Sequence, residues 1–132
     1  MCFAAGAGYR VYCVPEVPTI LMLGGCEFPG LQGGDKLLCY ENKLLDLQLE
    51  MEEAFVQIAA SNGRKAVVIM DRGALDIKAY VEAGLWSKIL EHVGASEAQL
   101  LGRYDAIIHL VTSAHGPTLY PHPIRVDLGA GT

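Results

Sequence analysis

An α/β fold with a parallel sheet is what this sequence predicts, and three short apolar runs predict it. Residues 10–14 read Arg-Val-Tyr-Cys-Val, residues 66–71 read Ala-Val-Val-Ile-Met-Asp, and residues 105–111 read Asp-Ala-Ile-Ile-His-Leu-Val. Helical stretches separate the three, and strands joined through helices build right-handed βαβ units. The middle run is wholly apolar up to Asp71 and rich in β-branched residues. That is the pattern of a parallel strand buried on both faces.

The elements follow in order. Gly6-Ala7-Gly8 precedes the first strand instead of following one, and no third glycine stands at the required spacing. It reads as a turn into the strand, not as a dinucleotide fingerprint. Pro15 and Pro18 stop the first strand and hold Glu16 between them. Residues 19–23 are apolar and long enough for one or two helical turns. Gly24, Gly25, Pro29, Gly30, Gly33 and Gly34 then punctuate a loop. Asp35 is placed to cap a long helix from Lys36 to about Ser61. Its solvent face carries Lys43, Asp46, Glu50, Glu53 and Gln57. The opposite face carries Leu37, Leu44, Leu45, Met51 and Phe55 at helical spacing.

Glu41, Gln48 and Glu52 interrupt that apolar face. An unpaired buried polar group is costly, so these three either face a polar cavity or cap loops. Asn62-Gly63 ends the helix with a residue suited to the left-handed conformation. Residues 75–82 and 85–93 read as two short helices broken near Gly84. Ser96-Glu97-Ala98-Gln99 has the form of a capping box and starts another. After Gly116 periodicity fails, and residues 120–132 are expected to form an irregular or disordered tail.

Composition bounds the rest. The 132 residues suffice for one domain, and with 52% hydrophobic and 19% charged residues the chain has material for a core. A net charge of −5 argues against a nucleic-acid backbone or an anionic membrane as the main partner. No transmembrane span is expected, because the run from Val17 to Leu23 is too short. Arg10 interrupts the first apolar stretch, and no signal-peptide cleavage pattern follows. Cys2, Cys13, Cys26 and Cys39 form no C-x-x-C pair and do not cluster with the histidines. They are expected to be reduced, mostly buried thiols, which suits the cytoplasm.

The candidate chemistry lies where strands end. Asp71 and Arg72 follow the middle run, at the carboxyl edge where open α/β sheets bind ligands. An acid there can hold a hydrated Mg²⁺, and an adjacent arginine can grip a phosphate. The alternative is a strand-ending acid beside a solvated base. Glu16 at the end of the first strand is either a loop-capping surface acid or a general base and acceptor for a substrate hydroxyl. The phosphate-cradling pattern G-x-x-x-x-G-K-[ST] occurs nowhere in the sequence.

Several blocks carry a family resemblance. They are Val14-Pro15-Glu16-Val17-Pro18-Thr19-Ile20-Leu21-Met22, Gly24-Gly25-Cys26, Pro29-Gly30, and Gln48-Leu49-Glu50-Met51-Glu52. Val68-Ile69-Met70-Asp71-Arg72-Gly73 and Tyr104-Asp105 through His109-Leu110-Val111-Thr112 complete them. In this order they resemble the P-loop ATPase-type domain of the TRPL translocation defect protein family. That domain is grouped with NadR-like and nucleoside-kinase-like P-loop proteins. The resemblance runs over roughly residues 9–119.

The resemblance implies a three-layer P-loop NTPase-like fold around a parallel sheet, binding ATP or GTP with Mg²⁺. It places Asp71 on the Walker B acid, with the metal held through water. Arg72 falls on a phosphate-contacting arginine, Glu16 on the acid that meets the acceptor hydroxyl, and Gln48 on a helix lining the acceptor pocket. A phosphoinositide lipid or a trafficking partner protein is the partner it suggests. The sequence departs from the family at both ends. Only Met1 to Gly8 stand where the first strand, P-loop and first helix belong, and a Pro/Gly tail stands where a lid and a further domain belong. Residues 1–119 are therefore expected to form a partial domain with impaired activity, or a non-enzymatic binding or regulatory fragment. Because the missing strand lies mid-sheet in such folds, between those matching 66–71 and 105–111, either a gap or a re-paired three-strand sheet is expected.

Overall fold

Residues 8–109 and 125–128 are described by the computed structural model of the chain. Strand β1 (Arg10–Val14) and strand β2 (Ala66–Met70) pair in parallel, Arg10 opposite Ala66 through Val14 opposite Met70. The Asp71 N–H donates to the Val14 carbonyl at 3.3 Å and carries the ladder one residue further. Between the strands run α1 (Val17–Leu23), the glycine-rich loop and α2 (Asp35–Ser61). Gly63, at φ +63°, turns the chain out of α2 as the Asn62-Gly63 pair predicts.

Three local expectations are corrected. Asp35 is the first residue of α2 and makes no side-chain cap; Gly34, at φ +56°, occupies the cap position. The helix expected over 75–82 shrinks to a 3₁₀ turn, Asp76–Ala79. Gly84 lies inside the next helix, α3 (Ala83–Val93), and the break falls before it, where Glu82 is extended and its carbonyl accepts the Trp86 N–H. The capping box is present: Ser96 Oγ accepts from the Gln99 N–H at 3.2 Å, and Gln99 Oε1 accepts from the Ser96 N–H at 2.8 Å. It opens α4 (Glu97–Leu101).

The core lies where α2 meets α3. Leu44 and Leu45 of α2 pack with Val17, Ala74, Ile77, Trp86, Ile89 and Leu100. The β1–β2 pair is covered on one side by α2. Val67 and Ile69, on the alternate positions of β2, are 42% and 50% exposed. The expectation of a strand buried on both faces fails here, because no second layer covers that face among the described residues. Strand β3 (Ala106–His109) does not join β2. It pairs antiparallel with β4 (Arg125–Leu128), His109 opposite Arg125, so the described strands form two separate two-stranded sheets. β4 lies within the stretch 120–132 where no pattern was legible; the rest of that stretch, and 110–111 of the third predicted strand, lie outside the described residues. Cys26 and Cys39 are unbridged and exposed and Cys13 is half-buried, which corrects the expectation of mostly buried thiols.

A buried carboxylate ties these parts together. Glu52, wholly buried on α2, accepts three hydrogen bonds. Its Oε1 receives Gln48 Nε2 at 2.8 Å and the Tyr104 hydroxyl at 2.8 Å, and its Oε2 receives Arg103 Nε at 3.1 Å. The Tyr104 oxygen also accepts the Ala74 N–H at 2.7 Å. One phenol thus links α2, the loop after β2 and the entry to β3. Burial pushes the Tyr104 hydroxyl well above the usual phenol range, so it stays a donor. Tyr104→Phe should cost about 1–3 kcal/mol, because it strips partners from a buried carboxylate and a backbone N–H. Chemical denaturation checks this, and an unchanged midpoint would contradict it.

Candidate functional site

The loop after β2 has an uncommon backbone. Arg72 sits at φ +66°, the one residue other than glycine with positive φ among those described. For a bulky side chain that conformation costs on the order of 1–3 kcal/mol and persists where surrounding contacts hold it. Gln48 Nε2 donates to the Arg72 carbonyl at 3.2 Å. At the other end, Arg72 Nε meets Glu16 Oε1 at 2.6 Å, Nη1 donates to the Tyr80 hydroxyl at 3.1 Å, and the guanidinium lies 5.5 Å from the centre of the Tyr80 ring. Gly73 follows for a steric reason: a Cβ there would come within 3.1 Å of the Tyr104 oxygen. Its N–H donates to Asp76 Oδ2 at 2.8 Å.

The structure therefore brings together Glu16, Gln48 and Arg72. Glu16 stands just before α1, at the end of β1, where Pro15 and Pro18 fix the exit from the strand. Both of its oxygens are engaged, Oε1 by Arg72 and Oε2 by the Thr19 hydroxyl at 2.6 Å. Asp71 ends β2 but stands apart from this cluster, exposed, with its backbone on the ladder. Among the described residues no group of three His, Cys, Asp or Glu side chains is placed to hold a metal ion. A lone carboxylate at a strand end does fit Mg²⁺, which keeps most of its waters and shares phosphate oxygens with its ligand.

Beside Arg72 a cavity of about 370 Å³ opens between α1, the glycine-rich loop, α2 and the 3₁₀ turn. Its walls are mostly apolar and aromatic. Phe28 and Tyr40 meet edge to face at 5.6 Å between ring centres. Glu41, Gln48, Arg72 and Asp76 supply its polar groups. Glu41 is 4% exposed and Gln48 2% exposed, so two of the three polar residues of α2 do face a cavity. The third, Glu52, serves the hydrogen-bonded network behind it. Burial pushes the Glu41 carboxyl above its ordinary range.

A family model described as an AAA domain matches residues 4–125. The chain belongs to this AAA domain family. The family is one of P-loop nucleotide-binding NTPases that generally bind Mg-ATP, and the mixed α/β structure with its small parallel sheet agrees with that membership. Neither a curated protein nor a solved structure matches the chain. No helix among the described residues is long and apolar enough to cross a membrane.

Tyr80 and Thr19 complete the cluster without any expectation from the sequence, whereas Glu41 was expected to face a polar cavity or cap a loop. Tyr80 reaches Arg72 across a 3₁₀ turn whose length no periodicity announces. Glu41 had a signal, a charge on an apolar helix face, but its direction toward open space depends on α1 and the loop. The Glu41 shift has a sign that can be tested. A carboxyl whose pKa is raised on folding holds its proton more tightly in the folded chain. Its ionisation therefore subtracts stability as pH climbs from the ordinary value of 4.5 through the raised folded value. Glu41→Gln should gain on the order of 1 kcal/mol at pH 7 and nothing below the ordinary glutamate range. Thermal melts at pH 4 and pH 7 check this; equal differences at both would contradict it.

Proposed function

We propose that this chain is the acceptor-binding part of a kinase-like P-loop domain of the TRPL translocation defect type. Its Mg-nucleotide chemistry is impaired because the sequence carries no G-x-x-x-x-G-K-[ST] loop. One observation carries this reading: Arg72, strained and lining one cavity together with Gln48, is met at its carbonyl by Gln48 and at its guanidinium by Glu16 from the end of β1. In this reading Asp71 holds a hydrated Mg²⁺ at the strand edge, and Mg²⁺ neutralises phosphate charge when bound. Arg72 contacts phosphate at the border between the two sites. Glu16 accepts a hydrogen bond from the acceptor hydroxyl in place of the one it takes from Thr19. Gln48 orients the acceptor.

A second reading is supported by the contrast between a formed cavity and a sequence without the G-x-x-x-x-G-K-[ST] pattern. The chain then acts as a binding or regulatory fragment without catalysis, engaging a phosphoinositide lipid or a trafficking protein. Nucleotide titration followed by NMR separates the two. The first reading expects ATP and GTP to bind with a Kd on the order of 1 mM, about −4 kcal/mol, and only with Mg²⁺ present. Asp71→Asn should remove that Mg²⁺ dependence without altering the fold, since it deletes a charge at constant volume. Mg²⁺-dependent binding that survives Asp71→Asn would remove Asp71 from the site. Absence of any nucleotide binding would leave the second reading.

A further inference from the structure

The cavity beside Arg72 holds more negative than positive charge, and its deepest acid has no partner. The Arg72 guanidinium is already met by Glu16 at 2.6 Å and stacked on Tyr80, so its charge is compensated within the chain. Asp76 spends one oxygen on the Gly73 N–H. Glu41 is different. At 4% exposure its carboxylate faces the cavity and receives no hydrogen bond or ion pair among the described residues. Seven residues along the same face of α2, Gln48 donates through Nε2 to Glu52 and to the Arg72 carbonyl. Its Oε1 accepts from no described group. Glu41 and Gln48, one of them ionisable, thus line a slot walled by Phe28, Leu31, Tyr40, Leu44, Ile77 and Tyr80.

Among the described residues the chain gives Glu41 no donor, and its carboxylate oxygens are not sealed off from solvent, so the cavity leaves them open to an occupant that brings one. At about 370 Å³ the cavity falls within the range of small-molecule sites. We propose that it takes a small flat ligand carrying a cationic nitrogen donor group, of the amidine, guanidine or protonated amine class, whose N–H groups bond to Glu41 and to Oε1 of Gln48. Charge-assisted bonds of this kind are the strong ones, and two convergent acceptors favour a donor pair over a single N–H. The aromatic walls accept the flat body, and their ring faces add attraction for the cation. This inference rests on the reading of the cavity as the acceptor site, and it names the chemical class of that acceptor.

Benzamidine, benzamide and benzoate are one ring with a cationic, a neutral and an anionic head. Titrated into the intact chain without nucleotide or metal, benzamidine should bind at least tenfold more tightly than either of the others. Glu41→Gln, close to isosteric, should weaken benzamidine at least tenfold while keeping a cooperative melt. In the unmodified chain the side-chain carboxyl carbon of Glu41 should shift in ¹³C NMR as benzamidine saturates, an observation that needs no variant. Benzoate or benzamide binding as tightly as benzamidine would overturn the proposal. So would a Glu41 resonance that stays still at saturation. The probes carry no phosphate, so their failure leaves the Mg-nucleotide test standing, and failure of that test leaves this one readable.

Discussion

The backbone of Arg72 is the constraint on which the site depends. A left-handed arginine places its carbonyl toward α2 and its guanidinium toward the end of β1. Each is then met: the carbonyl by Gln48 Nε2 at 3.2 Å, the guanidinium by Glu16 at 2.6 Å. The interactions that hold the strain also position the groups. If the loop relaxed to an ordinary conformation, Gln48 would lose one acceptor, Glu16 its ion pair, and the cavity part of its lining. Strain stored in this way is found where a site must be pre-organised. Here it is supported from behind by Glu52 and Tyr104, which fix the helix and the following loop against each other.

Much of this was legible in the sequence, for physical reasons. Long-period apolar patterning over twenty-seven residues of α2 leaves one helical phase, so the burial of Leu37, Leu44 and Leu45 follows from spacing alone. Polar residues on that face at 41, 48 and 52 announce a polar cavity or loop caps; Glu41 and Gln48 line a cavity, while Glu52 instead accepts from Gln48, Arg103 and Tyr104. The Ser96–Gln99 capping box is a local four-residue interaction and needs no tertiary context. What the sequence did not reveal depends on partners distant in the chain. The exposure of Val67 and Ile69 reflects whether a second layer covers the sheet, and strand composition is blind to that. The pairing of β3 with β4 instead of β2 likewise turns on which edge is within reach. The Arg72–Tyr80 contact spans a turn whose geometry Asp76 sets through the Gly73 N–H.

The chain thus divides its chemistry unevenly. Its cavity, the acceptor site in the proposed reading, is assembled from α1, the loop, α2 and the 3₁₀ turn. On the side where the proposed reading puts phosphate stands the strand-end acid Asp71, and the sequence carries no G-x-x-x-x-G-K-[ST] pattern. In P-loop proteins the loop of that pattern supplies much of the grip on phosphate. A fold can keep a packed pocket without it, because the core that shapes the pocket, centred on Leu45, Ile89 and Trp86, lies between α2 and α3 and away from the open face of β1 and β2.

The central claim is that the loop after β2, with Gln48 on its carbonyl, holds residue 72 in a left-handed conformation whichever side chain it carries. The relative stability of Arg72→Gly and Arg72→Ala tests it most directly, since both remove the guanidinium and differ in the cost of positive φ. If residue 72 keeps φ near +66°, the glycine variant should be more stable than the alanine variant by about 1 kcal/mol in equilibrium denaturation. An alanine variant as stable as the glycine variant, or more so, would show that the loop is not held in this conformation and would contradict the account.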